Sequence, residues 1–74
     1  MRIPRDLTGR ELIKKLRALG YDQTRRVGSH IRLTTQQNGT HHITIPNHDP
    51  LKLGTLSAIL SEVATHFNVS KEDL

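Results

Sequence analysis

Two short alternating runs, HIRLTT at 30–35 and HHITI at 41–45, stand on either side of QQNGT. Alternation at period two signals a strand, and an Asn-Gly between two such runs signals a hairpin. Parity then constrains the pairing. Ile31, Leu33, Ile43 and Ile45 share one face only if paired residue numbers have an even sum. A three-residue loop, Gln37-Asn38-Gly39, with Gly39 left-handed, meets that condition. Leu33 then opposes Ile43, and Ile31 opposes Ile45. A slip of one residue would send half of these aliphatics to water. The other face carries His30, Arg32, Thr34, His42 and Thr44.

The flanking segments follow the helical period instead. Thr8-Gly9-Arg10-Glu11 fits a capping box, in which the Thr hydroxyl accepts a first-turn N–H and the Glu reaches back. Leu12, Ile13, Leu16 and Leu19 fall on one face, with Lys14, Lys15 and Arg17 on the others. Gly20 supplies a left-handed stop. Residues 21–27, YDQTRRV, are rich in strand formers and read as a strand turned by Gly28 and Ser29. Pro46 ends the third strand, since it cannot donate to a ladder. After a polar loop, Leu53, Leu56, Ile59, Leu60 and Val63 mark a second helix starting near Gly54-Thr55 and closing at Phe67. Ser70 to Asp73 reads as a short final turn. The order is α-β-β-β-α, an α+β fold: a three-stranded antiparallel sheet with two helices packed on one face.

Composition narrows what such a fold can do. Seventy-four residues bury one modest core, so residues 1–74 are expected to form a single domain. Tyr21 and Phe67 are the only aromatics, so the core is expected to be aliphatic. The lack of cysteine removes disulfides and thiolate metal sites, and fits a reducing compartment. The N-terminus shows no signal-peptide stretch, and no run approaches the roughly 20 apolar residues of a membrane span. A cytoplasmic protein is expected. Eleven Lys and Arg against seven Asp and Glu give +4, and seven of the eleven are Arg. That balance draws a small domain to polyanions, and the Arg fork suits phosphate.

Histidine is the side chain able to both take and give a proton near neutrality. RNA cleavage asks for that: a base takes the 2′-OH proton, the oxygen attacks the adjacent phosphorus, and an acid protonates the leaving 5′-oxygen. His30 has this chemistry at the mouth of a strand. The Gly28-Ser29 turn offers close backbone approach and N–H groups to a phosphate. By chemistry alone His30 also reads as an ordinary surface residue. His41 and His42 point to opposite faces and cannot readily chelate one metal. His48 lies in a loop as an anchor or second acid–base group, and His66 suits the negative end of a helix dipole. No metal-ligand spacing, phosphate-cradling glycine loop or Ser-His-acid triad is present. No metal or cofactor is expected. Arg25, Arg26, Arg32 and Lys52 read equally as a phosphate-contacting patch or a solvated face.

ELIKKLRALGY, GSHIRLT, HHITIPNH and LKLGTLSAIL occur in that order over roughly residues 8–66. In them the chain resembles HicA-type toxins, the mRNA interferases of type II toxin–antitoxin pairs. The resemblance implies a double-stranded-RNA-binding-domain-like fold, mRNA as substrate, and a HicB-type antitoxin that covers the active site. It implies that His30, in Gly-Ser-His, is the catalytic residue. Gly28, Ser29, Arg26, Arg32 and Lys52 are then the expected RNA contacts. Pro46-Asn47-His48 matches the family's Pro-x-His in position only. The basic RIPRD lead and the acidic end of HFNVSKEDL depart from the pattern. A non-catalytic RNA-binding module of the same fold is the alternative. A decayed toxin that only titrates antitoxin is a third reading.

Overall fold

The computed structural model describes residues 6–74, and the basic lead at 1–5 lies outside them. The elements are α1 (Gly9–Arg17), β1 (Asp22–Val27), β2 (His30–Thr35), β3 (His41–Pro46) and α2 (Leu53–Phe67), followed by a 3-10 turn at Lys71–Asp73. The strands form one antiparallel sheet in the order β1-β2-β3. Leu33 opposes Ile43 and Ile31 opposes Ile45, the pairing that parity requires. All four are buried, and both helices cover them from one side of the sheet. This is the double-stranded-RNA-binding-domain-like α+β arrangement expected.

The β2–β3 ladder stops at Thr35–His41, so the connection is 36–40 rather than 37–39. Gln36 and Thr40 extend the pairing through side chains, with the Thr40 hydroxyl donating to Gln36 Oε1 at 2.7 Å. Both Asn38 (φ 58°) and Gly39 (φ 94°) are left-handed, not Gly39 alone. The loop is latched to α2: Asn38 Nδ2 donates to the His66 carbonyl, and His66 Nε2 donates to the Gln37 carbonyl, each at 2.8 Å. His66 thus bridges two elements rather than serving the helix dipole alone.

Leu12, Ile13 and Leu16 of α1 meet Leu56, Ile59, Leu60 and Val63 of α2 in the core. The capping box is present, with Glu11 N–H donating to Thr8 Oγ1 at 3.1 Å and Thr8 N–H to Glu11 Oε1 at 3.0 Å. These bonds, the backbone one first, hold the Glu11 carboxyl below its usual value. Gly20 (φ 90°) follows α1 in a Schellman arrangement, with Tyr21 N–H donating to the Leu16 carbonyl and Gly20 N–H to that of Arg17. Asn68 (φ 56°) closes α2 the same way.

The core is not purely aliphatic. Tyr21 precedes β1 instead of opening it, and is the largest fully buried side chain. Its hydroxyl meets His41 Nδ1 at 2.8 Å, and its ring packs edge-on against Phe67. Burial, with the Glu62 carboxylate adding to it, pushes the phenol up to about 12. A polar-capped ring can sit in a core when its hydroxyl has a partner.

All six residues of β1 are exposed. It is an edge strand, and its register shifts at Thr24, between Gln23–Leu33 and Arg25–Arg32. That bulge breaks the alternation. Gln23 and Arg26 therefore share the helix side of the sheet with Leu33 and Ile31, while Arg25 and Val27 share the open side with Arg32 and His30.

Candidate functional site

β1 and β2 are joined by two residues, Gly28 and Ser29, with Gly28 at φ 59° and Val27 paired to His30. Positive φ at the first turn residue is the type II′ pattern, which matches the twist of a hairpin. The turn is held from below. Asn47 N–H donates to the Ser29 carbonyl at 2.7 Å, and Gly9 N–H donates to the His48 carbonyl at 2.8 Å. The start of α1, the loop after β3 and the Gly28-Ser29 turn are thus stitched in series. Gly9 is required at this seam, because a Cβ there would stand 2.5 Å from the Pro46 carbonyl oxygen.

His30 begins β2 on the open face and is exposed. It lines a shallow depression of about 230 Å³ with Arg25, Val27, Arg32 and Thr44. Two guanidinium groups and one imidazole in one depression offer cations to an anion's oxygens and a ring able to carry a proton. The Gly28-Ser29 turn joins two of its lining residues, Val27 and His30. Arg32 also leans on Thr24, with Nε to Oγ1 at 3.4 Å.

The other histidines do not reach this depression. His42 is on the same face but pairs with Thr34, four residues along β2, about 13 Å away by strand rise. Its Nδ1 is 2.8 Å from Thr34 Oγ1, which in turn meets Thr24 Oγ1 at 2.8 Å, a hydroxyl chain across all three strands. His41 faces the helices, stacked on His66 with centroids 4.5 Å apart, and its Nε2 is 3.5 Å from Glu62. His48 lines a separate depression at the start of α1 with Thr8 and Arg10. Among the described residues no three His, Asp or Glu side chains gather to hold a metal ion.

The expected RNA contacts divide. Arg32 joins His30, and Gly28 and Ser29 form the turn that leads into His30 without themselves lining the depression. Arg26 is on the opposite side of the sheet, where its Nε donates to the Gly28 carbonyl at 3.1 Å. Lys52 caps the start of α2, exposed and outside the His30 depression. Arg26 instead lines a cleft of about 400 Å³ between α1 and β1 with Arg10, Lys14 and Arg17. From sequence, Lys14 and Arg17 read only as outward charges. The spacing 10, 14, 17 is the available signal, since i, i+4 and i+7 share a helix face.

A family model described as "HicA toxin of bacterial toxin-antitoxin" matches residues 9–64. Neither a curated protein nor a solved structure gives a significant match. Among the described residues no helix is long and apolar enough to cross a membrane.

Proposed function

Because the chain belongs to the HicA toxin family of bacterial toxin–antitoxin systems, we propose that it is an mRNA-cleaving endoribonuclease whose catalytic residue is His30. The supporting observation is the exposed imidazole at the Gly28-Ser29 turn, sharing one depression with the cross-strand pair Arg25 and Arg32. His30 takes the 2′-OH proton, the O2′–P bond forms, and the P–O5′ bond breaks as the leaving oxygen takes a proton from solvent water. Arg25 and Arg32 stabilise charge on the phosphoryl oxygens. Gly28 and Ser29 contact the backbone at the turn, with Arg26 and Lys52 as outlying phosphate contacts. An imidazole supplies the proton transfer itself, so the reaction needs no metal. A HicB-type antitoxin silences the toxin by covering this open face. Its mRNA substrate places its work in the cytoplasm.

A second reading is a non-catalytic RNA-binding module. It is favoured by one observation: among the described residues, His30 is the only imidazole or carboxylic side chain lining its depression. One experiment separates the two. Antitoxin-free protein is incubated with RNA in EDTA, wild type beside His30→Ala. The nuclease reading expects cleavage that falls about 10²- to 10⁴-fold in the variant while RNA binding persists. Binding without cleavage in both proteins, each folded, would instead support the module.

A further inference from the structure

The cleft between α1 and β1 holds more positive charge than the His30 depression, on the opposite side of the sheet. Arg10, Lys14 and Arg17 form one stripe on α1 about 10 Å long, and Arg26 faces them from β1. Among the described residues none of these four makes an ion pair. Four unpaired cations around one cleft repel one another, and a bound polyanion relieves that repulsion. Three of them are guanidinium groups, whose planar forks match phosphate oxygens. The amides of Gln23 and Asn47 add hydrogen-bonding groups at the wall. Two bonds join the cleft to the turn beside His30: Arg26 Nε to the Gly28 carbonyl, and Asn47 N–H to the Ser29 carbonyl.

We propose that this cleft is a second phosphodiester-binding site, and that one single-stranded RNA fills both sites by passing over the Gly28-Ser29 turn. The proposal rests on RNA as the ligand at His30 and extends it from a point of cleavage to a path. β1 is an edge of the sheet, and among the described residues, chain neighbours aside, nothing stands within 4 Å of where a Cβ on Gly28 would be, so a strand can cross there. A basic groove that tracks the backbone is the usual way to hold a single strand. The four cations provide affinity, while His30 and its neighbours act on one phosphate.

The test is fluorescence anisotropy with a labelled single-stranded RNA, in a His30→Ala background so that no RNA is consumed. Combining Arg10→Gln, Lys14→Gln and Arg17→Gln should weaken binding at least tenfold. The slope of log K against log salt should shrink by about 2, at about 0.7 for each phosphate no longer neutralised. Lys15→Gln removes one positive charge outside the cleft and should barely move the slope, where Arg17→Gln inside it should move it by about 0.7. Trimming the RNA to a dinucleotide, too short to reach both sites, should erase the difference between parent and triple variant. If the triple variant folds poorly, Arg17→Gln alone serves, with a slope change of about 0.7. Unchanged slopes would overturn the proposal. So would a triple variant that binds RNA normally and loses only its affinity for an acidic partner protein. If wild type never cleaves RNA but the triple variant still loses RNA binding, the nuclease reading fails and the second site stands.

Discussion

Tyr21 is the only tyrosine, so its phenol can be titrated without interference. An unfolded tyrosine ionises near about 10. In the folded chain, burial and the Glu62 carboxylate push this one up to about 12. The folded state therefore holds the phenolic proton more tightly. That contribution to stability is complete below pH about 10 and is lost as the pH rises toward about 12. Ultraviolet titration should show phenolate appearing late and together with unfolding. A phenol that titrates at its ordinary value while the chain stays folded would mean that the ring is not held in the core. The burial of this residue is not legible in the sequence, for a physical reason. A lone aromatic beside a helix-stopping glycine has no periodic partner, so nothing in the pattern shows which way it turns. The register of Ile31, Leu33, Ile43 and Ile45 is legible because four aliphatics at fixed parity leave one pairing that buries them all.

At the scale of elements, the two hairpins differ in what the sequence reveals. The β2–β3 pairing buries one face, so a slip is costly and the register is encoded twice, by parity and by the Asn-Gly turn. β1 buries neither face, and alternation carries no information there. Its bulge at Thr24, a good strand former, leaves no compositional trace, yet it sends Arg25 and Arg26 to opposite sides of the sheet. The candidate site is therefore legible in its histidine and its open-face arginine, but not in its division between two faces. The β1–β2 turn makes its own prediction. Gly28→Ala puts a Cβ on a residue at φ 59° with open space around it, so the cost is conformational rather than steric. Urea unfolding should show a loss of about 1 kcal/mol. A neutral result would mean that the turn relaxes to another type, which should also alter the environment of His30, visible in its imidazole NMR signals.

Across the whole molecule, positive charge exceeds negative by four. Among the described residues, Arg25 and Arg32 line the His30 depression at the end of the sheet where β1 meets β2, and Arg10, Lys14, Arg17 and Arg26 line the cleft on its other side. Net charge is read directly from composition, but its placement depends on how α1 crosses the edge strand, which periodicity does not encode. At that same end, Gly9 lets the first residue of α1 lie against the Pro46 carbonyl. Gly9→Ala must push that backbone aside, at a cost of about 1–3 kcal/mol measurable by urea unfolding. The displaced loop carries Asn47, the donor that holds the Ser29 carbonyl one residue before His30. The consequence is genetic. When the toxin is expressed without its antitoxin and survivors are sequenced, inactivating changes should recur at Gly9 as well as His30, although 21 positions separate them. Survivors with larger residues at Gly9 that still make full-length protein would mark the seam. A fully toxic, stable Gly9 variant would show that the turn holds its shape without it.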